Sequence, residues 1–512
     1  MSKVAKAAAG LMIVTILSKV LGLVREQVLA AAYGTQMYAA AYSTANSIPV
    51  VLFSVIGSAI ATSLIPMYNK LRKESGEDRA LEFTNTLVNL VSIICLGIAI
   101  LGAIFTEPLV KLFAAGYTGE ILETTVSFTR ILLFSIIFIG LANIMTGFLQ
   151  IKNNFLIPGL IGIPYTIVII LSVYLSLNHG IYVLIYGTLI ALAFKFLFQV
   201  PFAYKKGYRY SLKMNLKDDG IKEMMVLIMP VVIGIGVSQL NTMIDRSLAS
   251  ILGANIVASF GYANKLYEFV QALFITSILA VVYPKLASLL VKDDMSSFKF
   301  SLRKTMNVII ILIVPIVVGA VVLAVPIVKV LLQRGRFTYE DTLITANILK
   351  IYTVGILAVA IRDVMSRGFY SLHDSKTPMK NGMVAIVVNI VLNLLFIKFL
   401  GYKGLALAST IAGYVGLILF YFSLKKKIGD FQQNEIFIVF FKSLIAATIM
   451  GICSKLTFEY VDSILSAGFL SDLVSLGSAV GIGVLIYFIL IYLLKVEELT
   501  SIIDIVKSKF KK

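Results

Sequence analysis

Fourteen apolar stretches, each long enough to cross a bilayer, fill nearly all of this 512-residue chain. No other feature narrows the fold so far. A helix needs about 20 apolar residues to span hydrocarbon. The stretches fall at approximately 7–33, 39–68, 82–105, 126–151, 155–177, 181–204, 223–252, 257–284, 306–332, 342–371, 382–400, 404–424, 435–456 and 472–494. Backbone groups in lipid must be satisfied internally, so runs of this length are read as helices. The period-two alternation of a membrane barrel is absent. With 59% hydrophobic residues and a mean hydropathy of +0.94, a water-soluble globule is excluded. The fold class expected is an all-α polytopic membrane protein with 14 transmembrane helices.

The formal net charge of +18 raises the question of nucleic acid, and its placement answers it. With a cytoplasmic N-terminus, about 28 Lys and Arg fall in or beside inner loops and about 7 in outer ones. Inner clusters include Lys70, Arg72, Lys73 and Arg79; Lys205, Lys206, Arg209, Lys213 and Lys217; Lys425, Lys426 and Lys427; and the tail from Lys507 to Lys512. This is the positive-inside asymmetry, with attraction to anionic headgroups as an addition. Both termini are expected in the cytoplasm, membrane lipids are expected partners, and nucleic acid is not. Cys95 and Cys453 lie inside predicted helices, which excludes a disulfide scaffold. His179 and His373 sit near predicted loops and are assigned no role. The first apolar run is too long for a cleavable signal and is expected to stay as the first helix.

The chain also repeats itself. Pro66 and Pro284 lie 218 residues apart, as do Ala45-Asn46 and Ala263-Asn264, Pro108 and Pro326, and Lys111 and Lys329. A spacing of 221 relates Gly147-Phe148 to Gly368-Phe369. Each unit holds six spans, an even number, so both enter the membrane in the same direction as parallel repeats. The expected division is an N-lobe at 1–204, a basic cytoplasmic linker at 205–222 lying on the membrane surface, and a C-lobe at 223–424. Two extra spans and an amphipathic tail follow at 425–512. In the tail, Leu499, Ile502, Ile503, Val506 and Phe510 share one helical stripe. A single cavity is expected between the lobes.

Several spans keep charge at membrane depth, where each such side chain costs roughly 2.5–3.5 kcal/mol. Polar cargo, hence transport, is the natural reason. Span one contains S-K-V-L-G-L-V-R-E, with Ser18, Gly22 and Arg25 along one face and Glu26 next to the arginine. Arg25 either pairs with a carboxylate to fix packing or faces a wet cavity, where its planar fork suits phosphate. Gly22 is expected to allow close helix approach. Span seven carries Asp245 and Arg246, the latter 221 residues after Arg25; span eight offers Asn264, Lys265 and Glu268. Arg362 and Arg367 in span ten point roughly 140° apart, so not all of these charges face one ligand. Arg362–Asp363 is read as a structural pair.

These motifs resemble the MurJ (MviN) family of lipid II flippases, within the multidrug/oligosaccharidyl-lipid/polysaccharide exporter superfamily. The residues concerned are S-K-V-L-G-L-V-R-E (18–26), I-P ending span two (65–66), Y-A-N-K-L-Y-E-F (262–269), L-L-Q-R-G-R-F-T (331–338) and R-G-F-Y-S-L-H-D-S-K-T-P (367–378). The resemblance covers the whole fourteen-span layout. It implies a V-shaped pair of lobes, a cationic cavity, and a groove at spans 13 and 14 for a polyprenyl tail. It further implies movement of a polyprenyl-pyrophosphate peptidoglycan precursor from inner to outer leaflet by alternating access, in a bacterial plasma membrane, with no bond made or broken. Substrate-binding residues implied by the resemblance are Arg25, Glu26 and Lys265; the polar and charged positions read from the spans themselves add Ser18, Asn46, Arg246, Asn264, Arg362 and Arg367, with Arg246 lacking a counterpart in the family. Lys265 stands where many members have arginine, and span two lacks the arginine that many members carry.

No cofactor is expected beyond a coupling ion. Asn389 and Asn393, spaced i, i+4 on span eleven, share a face with Thr410 and Asp245 as further oxygen donors. Some family members have a sodium site on the same three helices. Here Asn393 replaces an expected aspartate, and interhelical hydrogen bonding among buried amides is an equal alternative. Cell-wall synthesis proteins are candidate partners. Competing readings are a flippase for another polyprenyl-linked oligosaccharide and a cation-coupled drug exporter, whose cavity should be dominated by acids. A membrane glycosyltransferase would show an acidic metal motif or a large catalytic loop, and neither is found. A pure scaffold would have little reason to retain Arg25, Arg246 and Lys265.

Overall fold

The computed structural model describes residues 3–215, 218–291 and 294–498. Among the described residues every regular element is a helix. Ten helices are long and apolar enough to cross a membrane, or eleven spans when the bent pair Gly119–Leu132 and Ser135–Ile151 joins as one. The stretches read as spans one, two and seven are helical but lie outside that set, so the number fourteen stays an expectation. The amphipathic tail from Leu499 onward falls outside the described residues.

The chain divides into two compact units. The first takes Met1–Ala258 with Arg334–Phe337. It holds α1 (Lys3–Tyr33), α2 (Met37–Ile104), α3 (Thr106–Phe113), α4 (Gly119–Leu132), α5 (Ser135–Ile151), α6 (Leu156–Leu160), α7 (Gly162–His179), α8 (Tyr182–Leu197), α9 (Val200–Lys205) and α10 (Asp219–Leu252). Helix α2 is two limbs meeting at Gly76, whose φ of 87° and ψ of 175° break the helical path. Large side chains of α2 and α5 make the core, among them Tyr68, Phe83 and Phe148. Helix α10, which the repeat assigns to the second half, groups with this unit.

Residues 206–215, expected on the membrane surface, are strapped along α2. Asn85 donates to the Arg209 carbonyl at 2.8 Å, Asn89 donates to the Ser211 carbonyl at 3.0 Å, and the Tyr210 hydroxyl donates to Asn89 at 2.8 Å. Tyr208 is buried with its ring edge against Phe148. Backbone groups bound in this way need no water, and the strap ends where Arg79 pairs with Asp218 at 2.8 Å. Burial raises the Asp218 pKa, but the Arg79 hydrogen bond and the Gly220 N–H outweigh it and hold the carboxyl below its ordinary value.

The second unit takes Ser259–Gln333 and Thr338–Lys512. It contains most of α11 (Ala254–Val270), a π-helical turn at Gln271–Thr276, α12 (Ser277–Val291), α13 (Met295–Val322), α14 (Ala324–Leu332), α15 (Tyr339–Ser371), α16 (Lys376–Leu400), α17 (Tyr402–Ile428), α18 (Gln433–Ile464) and α19 (Phe469–Leu493). The last two pack within this unit through small residues such as Ser454 and Gly483. The Tyr487 hydroxyl donates to the Ile311 carbonyl at 2.8 Å, and Lys329 pairs with Asp472 at 2.6 Å. Elsewhere large apolar side chains stand open, including Leu101 (60% exposed) in the first unit and Phe399 (82%) in the second. Such exposure suits lipid and not water.

The repeat is written in local geometry. At the end of α5, Asn154 N donates to the Leu149 carbonyl at 2.8 Å; at the end of α15, Asp374 N donates to the Phe369 carbonyl at 2.9 Å. Both are the six-to-one bond of a Schellman stop. In each corner the side chain at the next turn then accepts a backbone N–H, Asn154 from Ile157 and Asp374 from Thr377. The motif K-N-N-F-L-I-P and its counterpart H-D-S-K-T-P are therefore the same corner, built twice.

Candidate functional site

The first unit gathers charge from α1 and α8 around a tyrosine of α7. Arg25 lies on the limb of α1 that packs beside α6 and α7, and its guanidinium donates to Glu26 at 2.6 Å. The pair is only partly accessible, with side-chain exposures of 19% and 12%. So the ion pair anticipated from sequence exists. It does not occupy Arg25 fully, because the same guanidinium lies 5.2 Å from the centroid of the Tyr165 ring. Lys195 of α8 sits over that ring too, its ammonium 4.1 Å from the centroid. Tyr42, another electrostatic neighbour of Arg25, is buried and shares a 3.1 Å hydrogen bond with Thr188. Sequence reasoning missed both Lys195 and Tyr165. A single lysine within F-K-F-L-F reads as one that reaches for the interface, and only helix packing brings it to Arg25.

Ser18 and Gly22 behave differently from the other residues of their face. The Ser18 hydroxyl donates to the Gly159 carbonyl at 3.1 Å, joining α1 to α6. Gly162 takes the close approach on α7, because a Cβ there would meet the Ser18 side chain at 3.3 Å. A Cβ on Gly22 would meet nothing within 4 Å, so the close approach expected at Gly22 is not there. Asn46 is half-buried on α2. Arg246 donates to the Ser43 carbonyl at 3.4 Å, and Asn241 donates to Asp245 at 3.3 Å. The Q-R-G-R-F motif also finds its reason in this unit. Arg336 N donates to the Ala31 carbonyl at 2.9 Å, and both Gly34 and Gly335 have φ of 57°. A Cβ on Gly335 would run into the Ala31 backbone, and one on Gly34 into the Arg336 backbone.

The second unit has its own charged group. Asn264 and Lys265 both donate to Glu268, at 2.8 and 3.0 Å, and all three remain solvent-open or nearly so. Arg362 pairs with Asp363 at 3.4 Å, the structural pair anticipated. Arg367 stacks over Tyr283 at 5.4 Å. Although about 140° separates the two arginines around the helix, both act on the Asp363 carboxylate and on Tyr370. Long side chains close the angular gap that Cβ directions leave.

On α16, Asn393 donates to Asn389 at 3.0 Å, and Asn389 donates to Ser409 of α17 at 3.2 Å. Thr410 donates to the Ile351 carbonyl at 2.9 Å. These are neutral oxygens, a donor set that fits a weakly held monovalent ion better than a divalent one. Asp245, the charged member of the expected set, belongs to the first unit, and the other three belong to the second. Among the described residues no group of three or more His, Cys, Asp or Glu side chains could hold a metal ion. At the corner after α15, Lys427 donates to Asp374 at 2.5 Å. That hydrogen bond, aided by the Thr377 N–H, pulls the Asp374 carboxyl down to about 2.

Residues 29–476 match the family model for the lipid II flippase MurJ. A probable lipid II flippase MurJ of Vibrio cholerae is 27% identical over 500 residues, covering 94% of each chain. The lipid II flippase MurJ of Burkholderia cenocepacia is 24% identical, covering 85% of this chain and 86% of its own. Among solved structures, a lipid II flippase MurJ in an inward closed conformation matches with TM-score 0.78 and 27% identity, covering 94% of this chain and 97% of its own. A multidrug resistance transporter of the MATE family and MOP superfamily, in an inward-facing conformation, matches at TM-score 0.63 but only 15% identity, covering 83% and 95%. That second likeness concerns the fold alone.

Proposed function

The chain belongs to the MurJ family of lipid II flippases, and from that premise we propose how its own side chains serve the transport. It is a multi-pass membrane transporter and not an enzyme, and lipid II is its substrate. The observation behind this reading is the family match across residues 29–476, joined to the 94% coverage by a MurJ of known structure. The drug-exporter alternative rests on fold likeness at 15% identity.

The work is translocation of a polyprenyl-pyrophosphate glycopeptide from the inner to the outer leaflet by alternating access. Arg25 is the lead residue for the pyrophosphate, since its guanidinium is partly accessible and only one carboxylate neutralises it. Arg246, Lys265, Arg362 and Arg367 are further cations available to the same substrate, with Ser18, Glu26, Asn46 and Asn264 as polar neighbours for sugar or peptide. An anion leaving an inside-negative cell is favoured by about 2.3 kcal/mol per charge per 100 mV, which supports membrane potential as a driver. Sodium held by Asn389, Asn393 and Thr410 is a second driver, supported by their oxygen-rich cluster. The protein resides in the bacterial plasma membrane with both termini cytoplasmic, following its lysine and arginine distribution. Cell-wall synthesis proteins are its natural neighbours there.

Depletion of the protein, followed by identification of the lipid-linked precursor that builds up on the cytoplasmic leaflet, tests the substrate. Lipid II is expected. Build-up of a different polyprenyl-linked oligosaccharide would replace it as the cargo.

A further inference from the structure

Tyr165 has a cation from each of two helices against its ring: Arg25 from α1 at 5.2 Å and Lys195 from α8 at 4.1 Å. The two charges are thus no farther apart than the sum of those distances. A ring face attracts a cation, but it does not neutralise one. The only carboxylate in the group is Glu26, already bound to Arg25 at 2.6 Å. Among the described residues, no carboxylate lies within ion-pairing distance of the Lys195 ammonium. Its charged neighbours are Arg25 and Lys19, both positive.

Lys195 stands in the last turn of α8, and the apolar run continues past it through α9. It lies 13 residues into the span Tyr182–Lys205, about 20 Å along the axis. A side chain placed there for packing would be apolar or paired. Two positive charges against one negative charge, around one aromatic ring within an apolar span, form a group lacking an anion.

We propose that Lys195, Arg25 and Tyr165 form one seat for a diphosphate, with Lys195 the determinant that separates a pyrophosphate-linked lipid from a lipid without phosphate. The ring holds both cations apart and aims them at the same space. An anion entering there gains the charge-assisted bonds that no protein group supplies to Lys195. The inference deepens the flippase reading and rests on it for the identity of the lipid. The shared chemistry, two linked phosphates, could also come from free pyrophosphate or, more loosely, from an anionic phospholipid.

The test uses the full-length protein in detergent. Binding of lipid II, undecaprenyl pyrophosphate, undecaprenol, inorganic pyrophosphate and phosphatidylglycerol is measured by native mass spectrometry for wild type, Lys195→Gln and Lys195→Arg. Lys195→Gln is expected to weaken both pyrophosphate lipids by about tenfold or more, to leave undecaprenol binding unchanged, and to be restored in large part by Lys195→Arg. Retained undecaprenol binding shows that the variant is folded. Equal binding of both pyrophosphate lipids by Lys195→Gln and wild type would overturn the seat, as would parallel loss of undecaprenol. If wild type binds undecaprenyl pyrophosphate through Lys195 but does not favour lipid II, the seat stands and the lipid II reading falls. If inorganic pyrophosphate or phosphatidylglycerol alone depends on Lys195, the seat does not serve the lipid-linked substrate and the proposal fails.

Discussion

Asn153 and His373, 220 residues apart, hold the same left-handed backbone conformation, with φ of 57° at each. They are the residues at which α5 and α15 stop, and each sits inside the same pattern of backbone bonds. Neither is glycine, so each corner bears some of the strain that a Cβ meets at positive φ. Asparagine tolerates that region better than histidine does.

His373→Gly is therefore expected to leave thermal stability unchanged or raise it, while His373→Val lowers it by about 1–2 kcal/mol. Melting of the purified protein in detergent checks both. Equal melting temperatures for the two variants would show that the corner does not depend on φ at this residue.

Asp374 gives a pH dependence whose sign is set by its environment. The Lys427 hydrogen bond and the Thr377 N–H depress its folded pKa to about 2, below the ordinary carboxylate value. A depressed pKa contributes stability that is fully present above the unfolded value, near 4, and is lost as pH falls through about 2. Asp374→Asn should flatten that part of the acid-unfolding curve and leave the slope above pH 5 unchanged. An identical acid limb in wild type and variant would remove the corner from the acid response.

Arg25→Ala should insert normally yet reduce lipid II flipping by about tenfold or more, since a charge-assisted contact to a partly buried anion is lost. Lysine at this position should recover part of the activity, keeping charge while losing the fork. Proteoliposome flipping together with rescue of a flippase-depleted strain reads the effect. Full rescue by the alanine variant would leave Arg25–Glu26 as a packing pair.

The sodium proposal separates from simple hydrogen bonding by its dependence on ion concentration. Asn389→Ala should shift the sodium concentration that gives half-maximal flipping by severalfold. Loss of stability with an unchanged sodium response would mean that the Asn393–Asn389–Ser409 chain serves packing alone. Flipping that ignores both potential and sodium would reject both drivers.

Long apolar runs made helices legible before any contact was known, because lipid offers the backbone no partner outside itself. The corner motifs K-N-N-F-L-I-P and H-D-S-K-T-P were legible for a local reason, each Schellman stop being built from residues within six positions of one another. The bonds match Leu149 to Phe369, however, and so set the Gly147-Phe148 and Gly368-Phe369 pairs one residue out of register. The pairings Arg25–Glu26 and Arg362–Asp363 were equally readable, since neighbours on one helix can meet whatever the tertiary fold.

Other features depend on what a helix packs against. Lys195 reaches Tyr165, and so Arg25, only because α7 lies beside both α1 and α8. The basic strap at 206–215 lies along α2 because Asn85 and Asn89 donate to its carbonyls there and Asn89 accepts from Tyr210. Helical periodicity assigns a side chain to a face. Which neighbour that face meets is a long-range matter, and nothing in the spacing of residues encodes the distance between two helices.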